Sequence, residues 1–384
     1  MKKTLFFMTF FFCFHTYAVK DGYYRLELST QHAKIPFIMK SSSQGKTFQI
    51  LNGEEVIELQ NIKTKKKNHL TLEIPTYQVR LSLDIQGDKL SGVFIRSNGS
   101  QLPLEGRPGQ ELFSLPLKKA SNFDGKWEVQ DDKGEQNVLL LKQDGQKIKG
   151  SYLTKYGDYR YFHGVVSGDE FYASSFDGVY NYLIKGKLEG KKLSAQILAN
   201  YKIQLEGKRN DEAKLVDPYK LTKVDTKLAF SFPDLKGKKI SLADEQFKNR
   251  PVILQIFGSW CPNCIDELNY LIPWYEKNRD RGIALIAISF ERTLDVKRAQ
   301  VVLRKLAQKH KLNYPMLLAG VSPEDTPEKK LPGVKNFMAF PTTIFLDKNH
   351  NVYKVHTGFN GPSTGEFYQQ WQKDFNQTVD TLLK

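Results

Sequence analysis

Apolar and polar positions follow two different rhythms along this chain. From about Asp21 to Arg209 they alternate with a period of two, in stretches such as "HLTLEIP" (His69–Pro75), "QVRLSLDI" (Gln78–Ile85), "NVLLLKQ" (Asn137–Gln143) and "YNYLIKGKL" (Tyr180–Leu188). Alternation of that length predicts half-buried strands, and the Gly-Asp, Asp-Gly and Gly-Lys pairs between them predict turns. "LDIQGDKLSG" (Leu83–Gly92), "LKQDGQKIKG" (Leu141–Gly150) and "GKLEGKKLSA" (Gly186–Ala195) form a weak internal repeat. Each reads as strand, glycine-containing turn, strand. Residues 19–209 are therefore expected to be all-β, an antiparallel sandwich or an up-and-down barrel, with a possible split into two subdomains near 118–122. The stretch Phe123–Lys208 could make one barrel by itself. Its many tyrosines and phenylalanines, Tyr182 and Phe171 among them, alternate as sheet-packing residues do, with a ligand- or partner-binding face as the alternative.

Residues 210–226 are polar, contain Pro218 and read as a linker. Beyond them, over 227–384, the rhythm changes. "PVILQIF" (Pro251–Phe257) and "GIALIAIS" (Gly282–Ser289) are near-continuous apolar runs, as strands covered on both faces require. Helical periodicity follows, with Ile265, Leu268, Leu271, Ile272 and Tyr275 on one face and Pro273 as an expected kink. A second helix is expected over Leu294–His310. "TTIFLD" (Thr342–Asp347) and "VYKVH" (Val352–His356) read as an antiparallel pair, followed by a last helix from Ser363 with Glu366 completing a capping box. The expected order is strand, helix, strand, helix, strand, strand, helix, which makes this part α/β. The segment Leu318–Phe340 reads as a loop forming a lip over the site discussed next.

The totals narrow the function little. The chain has 384 residues, 26% of them charged, and a net charge of +15. That charge favours acidic partners, but it is spread out, and the densest run, "KTKKKNH" (Lys63–His69), reads as a solvated turn, so no nucleic-acid site is expected. The start is more informative: Lys2 and Lys3, an apolar stretch from Leu5 to Phe14 and then Thr16-Tyr17-Ala18 read as a signal peptide over residues 1–18. Export to the periplasm or cell envelope of a bacterium is expected. Lipid anchoring through Cys13 is disfavoured by the bulky Phe12 before it. Cleavage leaves Cys261 and Cys264, and a disulfide spanning so short a loop gains little as a staple.

"GSWCPNCIDEL" (Gly258–Leu268) puts Cys261 directly after a buried strand and Trp260, with Pro262 suited to the first turn of a helix. A thiol at a helix N-terminus meets unpaired N–H groups and the positive end of the dipole, which favour the reactive thiolate. Cys264, one turn on, is placed to resolve a mixed disulfide. The pair could instead hold copper or zinc, though no second Cys/His cluster at ligand spacing accompanies it. A third reading gives the work to the β-rich half, with the cysteine region as accessory.

"VILQIFGSWCPNCIDEL" with "FPTTIFLDKNHNV" some eighty residues later resembles the thioredoxin superfamily, and more closely the exported TlpA- and ResA-type thiol–disulfide oxidoreductases. The resemblance covers about Lys227–Lys384. It implies a thioredoxin-like fold, an enzyme that reduces protein disulfides, Cys261 as nucleophile and Cys264 as resolving thiol. It implies a cis Pro341 beside the sulfurs, with the Phe340 backbone open to a substrate strand. It implies protein substrates bearing disulfides or dithiols and a membrane-bound redox partner, and neither cofactor nor metal. Gln255 stands where thioredoxin carries a buried aspartate. Glu267 matches a glutamate that tunes the thiols in the ResA-like branch, with a solvent-facing helical carboxylate as the other reading. Asp266 reads as solvent-facing, and His356 as a packing or capping residue. The β-rich half is left with substrate recruitment or attachment at an envelope surface.

Overall fold

The computed structural model describes residues 19–64, 66–116 and 118–384; the expected signal peptide, with Cys13, lies outside the described residues. The alternating stretches do form strands. Eight of them, from Gly22–Ser29 to Gln101–Pro108, each pair antiparallel with the next, and the last pairs back on the first to close a barrel. Leu26, Leu28, Ile35, Phe48, Leu72, Leu81 and Phe94 are wholly buried, at about 1.5–3 kcal/mol of transfer free energy each. A second meander runs from Gly125–Asp131 to Lys202–Arg209. It closes too, because Gly125–Asp131 pairs with both Gln136–Asp144 and Lys202–Arg209. A two-residue strand, Gly157–Asp158, hangs from Lys147–Thr154 outside that ring. The N-terminal region is thus two closed barrels, the up-and-down form of the two expected.

The three repeated segments are hairpins. Gly87, Gly145 and Gly190 each open a two-residue loop at φ of 62°, 58° and 61°. Only glycine adopts that conformation freely, and it matches the twist of the flanking strands.

The C-terminal region is α/β. Its five-stranded sheet runs Met316–Gly320, Ala284–Phe290, Val252–Phe257, Thr342–Leu346, Val352–Thr357, the first three parallel and the last two antiparallel. All of Val252–Phe257 and Ala284–Phe290 is buried. Helices Pro262–Asn278, Val296–Lys309 and Glu366–Leu382 share an apolar cluster with Ile253, Phe257, Leu285 and Phe345 on one face. Phe230, Ile240, Leu242 and Phe247 cover Leu254, Ile256 and Ile286 on the other. The first cluster continues into the first barrel. Phe176 of the second barrel joins it, stacked on Phe37 at 3.8 Å between ring centroids and edge-on to Phe94.

Three local expectations need correction. Met316–Gly320 is an edge strand, absent from the expected order; five apolar residues without alternation carry no period to distinguish them. The capping box does not form. The last helix begins at Glu366 behind Gly365, and the Ser363 hydroxyl is drawn instead to Asp158 and Ser151 of the second barrel. The polar stretch 210–226 also lies against the α/β region: Lys223–Val224 pairs with Val334–Lys335, and the Tyr219 ring meets His356 edge-on. The helix Pro262–Asn278 carries Pro273 in its interior.

Candidate active site

The buried strand Val252–Phe257 delivers the chain to a tight corner. A Cβ on Gly258 would lie 2.3 Å from Trp260 Nε1 and 2.9 Å from Phe290 O, so the corner takes only glycine. Ser259 is tied by its N–H (2.9 Å) and hydroxyl (2.6 Å) to the Glu291 carboxylate, which also accepts from Ser289 Oγ at 2.6 Å. Trp260 Nε1 donates to Phe290 O at 2.9 Å. The next residue, Cys261, is the N-cap of the helix, and Pro262 is its first residue.

Cys261 and Cys264 form a disulfide with their Cα atoms 5.2 Å apart. The Cys264 N–H donates to Cys261 Sγ at 3.2 Å, so a free helix-end donor already faces the sulfur that would carry charge when reduced. Cys264 is wholly buried and Cys261 is 5% exposed, so only the first sulfur is within reach of another protein. Phe340 O lies 3.7 Å from Cys261 Sγ, and the Phe340–Pro341 peptide bond is cis. The Trp260 and Phe340 rings meet edge-on at 5.3 Å, and the Arg292 guanidinium covers the indole at 3.4 Å from its centroid. Cys261, Trp260, Phe340 and Pro341 therefore come together.

Glu267 is fully buried one turn below Cys264, which removes the solvent-facing reading. Its oxygens accept from Gln255 Nε2 at 2.9 Å and Thr343 Oγ1 at 2.6 Å. Burial pushes its carboxyl up to about 7, against the downward pull of those two bonds. Gln255 Nε2 also sits 3.4 Å from Cys264 O, which links the carboxyl to the second cysteine.

Asp266 differs from expectation. It is covered by the second barrel and pairs with Arg160 Nη1 at 2.9 Å. The helical period marks its face as polar but carries no sign of what covers it. His356 is buried between the Tyr219 and Trp371 rings, and burial pushes its imidazole down to about 4, a packing role. Glu291 and Thr343 went unnoticed in the sequence. Only the serines and threonines around Glu291 and Thr343 hinted at buried hydroxyl partners. Among the described residues no three His, Cys, Asp or Glu side chains converge as a metal site, and no helix is long and apolar enough to cross a membrane. A concavity of about 820 Å³ lies on the second barrel under residues 110–116 and contains neither cysteine.

Residues 225–355 match the AhpC/TSA family. The C-terminal region is a thioredoxin-superfamily thiol–disulfide oxidoreductase domain. A thiol–disulfide oxidoreductase ResA of Bacillus cereus is 27% identical over 141 residues, 37% of this chain and 73% of that protein. ResA of Bacillus subtilis (strain 168) is 26% identical over 129 residues, 34% and 64% of the two chains. Among solved structures, a thioredoxin-family thiol:disulfide interchange protein from Chlorobium tepidum TLS aligns at 21% identity, over 42% of this chain and 98% of its own, with a TM-score of 0.32. StoA from Bacillus subtilis aligns at 22% identity, over 38% and 96%, with a TM-score of 0.27. The Cys261–Cys264 disulfide lies within the matched residues, a Cys-x-x-Cys pair consistent with a redox-active dithiol of this oxidoreductase domain.

Proposed function

We propose that the protein is an exported reductase of protein disulfides, with Cys261 as nucleophile and Cys264 as resolving thiol. The observation that carries the reading is the asymmetry of the pair: Cys261 Sγ caps the helix, faces the Cys264 N–H and is the less buried sulfur. In the reduced protein its thiolate attacks a substrate disulfide, and one substrate sulfur leaves as a thiolate. Cys264 then attacks Cys261 Sγ, the second substrate thiolate leaves, and the Cys261–Cys264 disulfide is restored. Two electrons have passed to the substrate, and a membrane-bound dithiol partner returns them.

Glu267 ionises near neutral pH beneath Cys264 and is the group placed to tune the resolving thiol. Trp260 and Pro262 shape the mouth and the helix start, while the Phe340 carbonyl beside Pro341 offers a backbone acceptor to an extended substrate segment. The signal-peptide-like start supports a periplasmic or envelope location, and the two barrels are assigned to substrate recruitment or surface attachment.

The test is trapping. Purified Cys264→Ser should accumulate mixed disulfides with substrate proteins, and Cys261→Ser should lose turnover of a disulfide substrate. Turnover retained in Cys261→Ser refutes the assignment.

A further inference from the structure

The second barrel reaches into the redox motif itself. Asn263, between the two cysteines, is 2% exposed. Its Nδ2 donates to Asp158 O at 2.9 Å and to Phe359 O at 3.3 Å. The first acceptor belongs to the short strand Gly157–Asp158 outside the second ring, 105 residues away in the chain. The approach is as close as atoms permit. A Cβ on Gly157 would lie 2.7 Å from Asn263 Nδ2 and 2.9 Å from Phe359 O, and Gly157 has a φ of +120°.

The same turn is fastened on both sides. The Asp158 carboxylate accepts from Gly361 N at 2.6 Å and Ser363 Oγ at 3.0 Å in the oxidoreductase domain, and from Arg160 N at 2.6 Å in its own barrel. The Arg160 guanidinium, 3% exposed, meets Asp266 of the active-site helix at 2.9 Å, Asp177 of the second barrel at 3.1 Å, and Glu55 of the first barrel. One cation thus joins all three parts of the molecule, one turn of helix beyond Asn263.

We propose that the Gly157–Arg160 turn is a positioning element of the redox site, holding Asn263 and through it the helix start that sets the reactivity of Cys261. The inference rests on the dithiol reading above. The physical route is short. Asn263 precedes Cys264, whose N–H faces Cys261 Sγ, so a fixed Asn263 fixes that donor. A donor fixed on the sulfur favours the thiolate, and a stabilised thiolate favours the reduced pair. Loosening the turn should raise the Cys261 thiol pKa and move the equilibrium toward the disulfide.

Gly157→Ala tests this without altering the motif. The full chain is equilibrated with reduced and oxidised glutathione, two glutathione thiols becoming one glutathione disulfide for each Cys261–Cys264 disulfide reduced. The pH dependence of Cys261 alkylation is read in parallel. The expected result is a tenfold shift toward the protein disulfide, about 30 mV, with a raised thiol pKa. Asn263→Ala, which removes both bonds without adding volume, should do the same and carries the test if Gly157→Ala does not fold. Adding Gly157→Ala to Asn263→Ala should then change the equilibrium by less than twofold, since the link is already cut. A folded variant whose equilibrium lies within twofold of the parent and whose thiol pKa is unchanged overturns the proposal, as does full additivity of the two changes. A parent protein that fails to cycle with glutathione overturns the dithiol reading instead.

Discussion

Replacing Glu267 by Gln should change how stability depends on pH, and by a calculable amount. The carboxyl sits fully buried with two hydrogen-bond donors and no cation against it, so its pKa rises from an ordinary 4.5 to about 7. An acid whose folded pKa is raised binds its proton more tightly folded than unfolded, so stability falls as pH climbs from 4.5 toward 7. At about 1.4 kcal/mol per pH decade, ionising this one group costs about 3 kcal/mol once the pH passes 7. Gln keeps the shape and never ionises. The variant should match the parent near pH 4.5, within the roughly 1 kcal/mol of an altered hydrogen bond, and exceed it by about 3 kcal/mol at pH 8. Urea unfolding of the oxidised proteins across pH 4.5–8 measures both curves, and their difference isolates Glu267 from other buried acids. Parallel curves would refute the reasoning and place the ionisation of Glu267 well below neutrality.

Two further changes probe the joints between the parts. Arg160→Met leaves Glu55, Asp177 and Asp266 without their shared cation, and should cost about 3–5 kcal/mol. The loss should grow as pH rises, because Asp266 and Asp177, held up to about 7 and about 6 by burial, would ionise unpaired; a loss that shrinks with rising pH contradicts the cluster. Phe176→Ala removes a wholly buried ring wedged between Phe37 and Phe94, and should cost about 3–5 kcal/mol in urea unfolding. A loss under about 1 kcal/mol would show that the barrels do not lean on that ring.

What the sequence disclosed follows the range of the forces involved. Period-two alternation and Gly-x-Lys turns are local, so the hairpins at Gly87, Gly145 and Gly190 were legible, as were the apolar runs of the α/β sheet. The cysteine motif was legible because a strand end, a helix start and two thiols are packed into a few residues. Glu267 could be placed on the correct helix turn, but its burial depends on Thr343 and Gln255 arriving from two strands. Asp266 misled, because its partner Arg160 lies in another part of the chain with no shared pattern to announce it. Ser363 and Glu366 had the spacing of a capping box, and a distant aspartate took the serine. In each failure a tertiary contact outcompeted a sound local signal.

Both barrels are built almost entirely from strands paired with their neighbours in sequence, closed by one long-range pairing each. Such short-range contacts cost little loop entropy and form early. The oxidoreductase sheet needs parallel pairings across helical crossovers, and such pairings are intrinsically slower to form. Domains also tend to fold in order from the N-terminus as a chain emerges. On these grounds the two cysteines are expected to take their places after the barrels have formed, against a surface at Gly157–Arg160 that is already standing. That order would make the barrels a scaffold on which the redox pair matures.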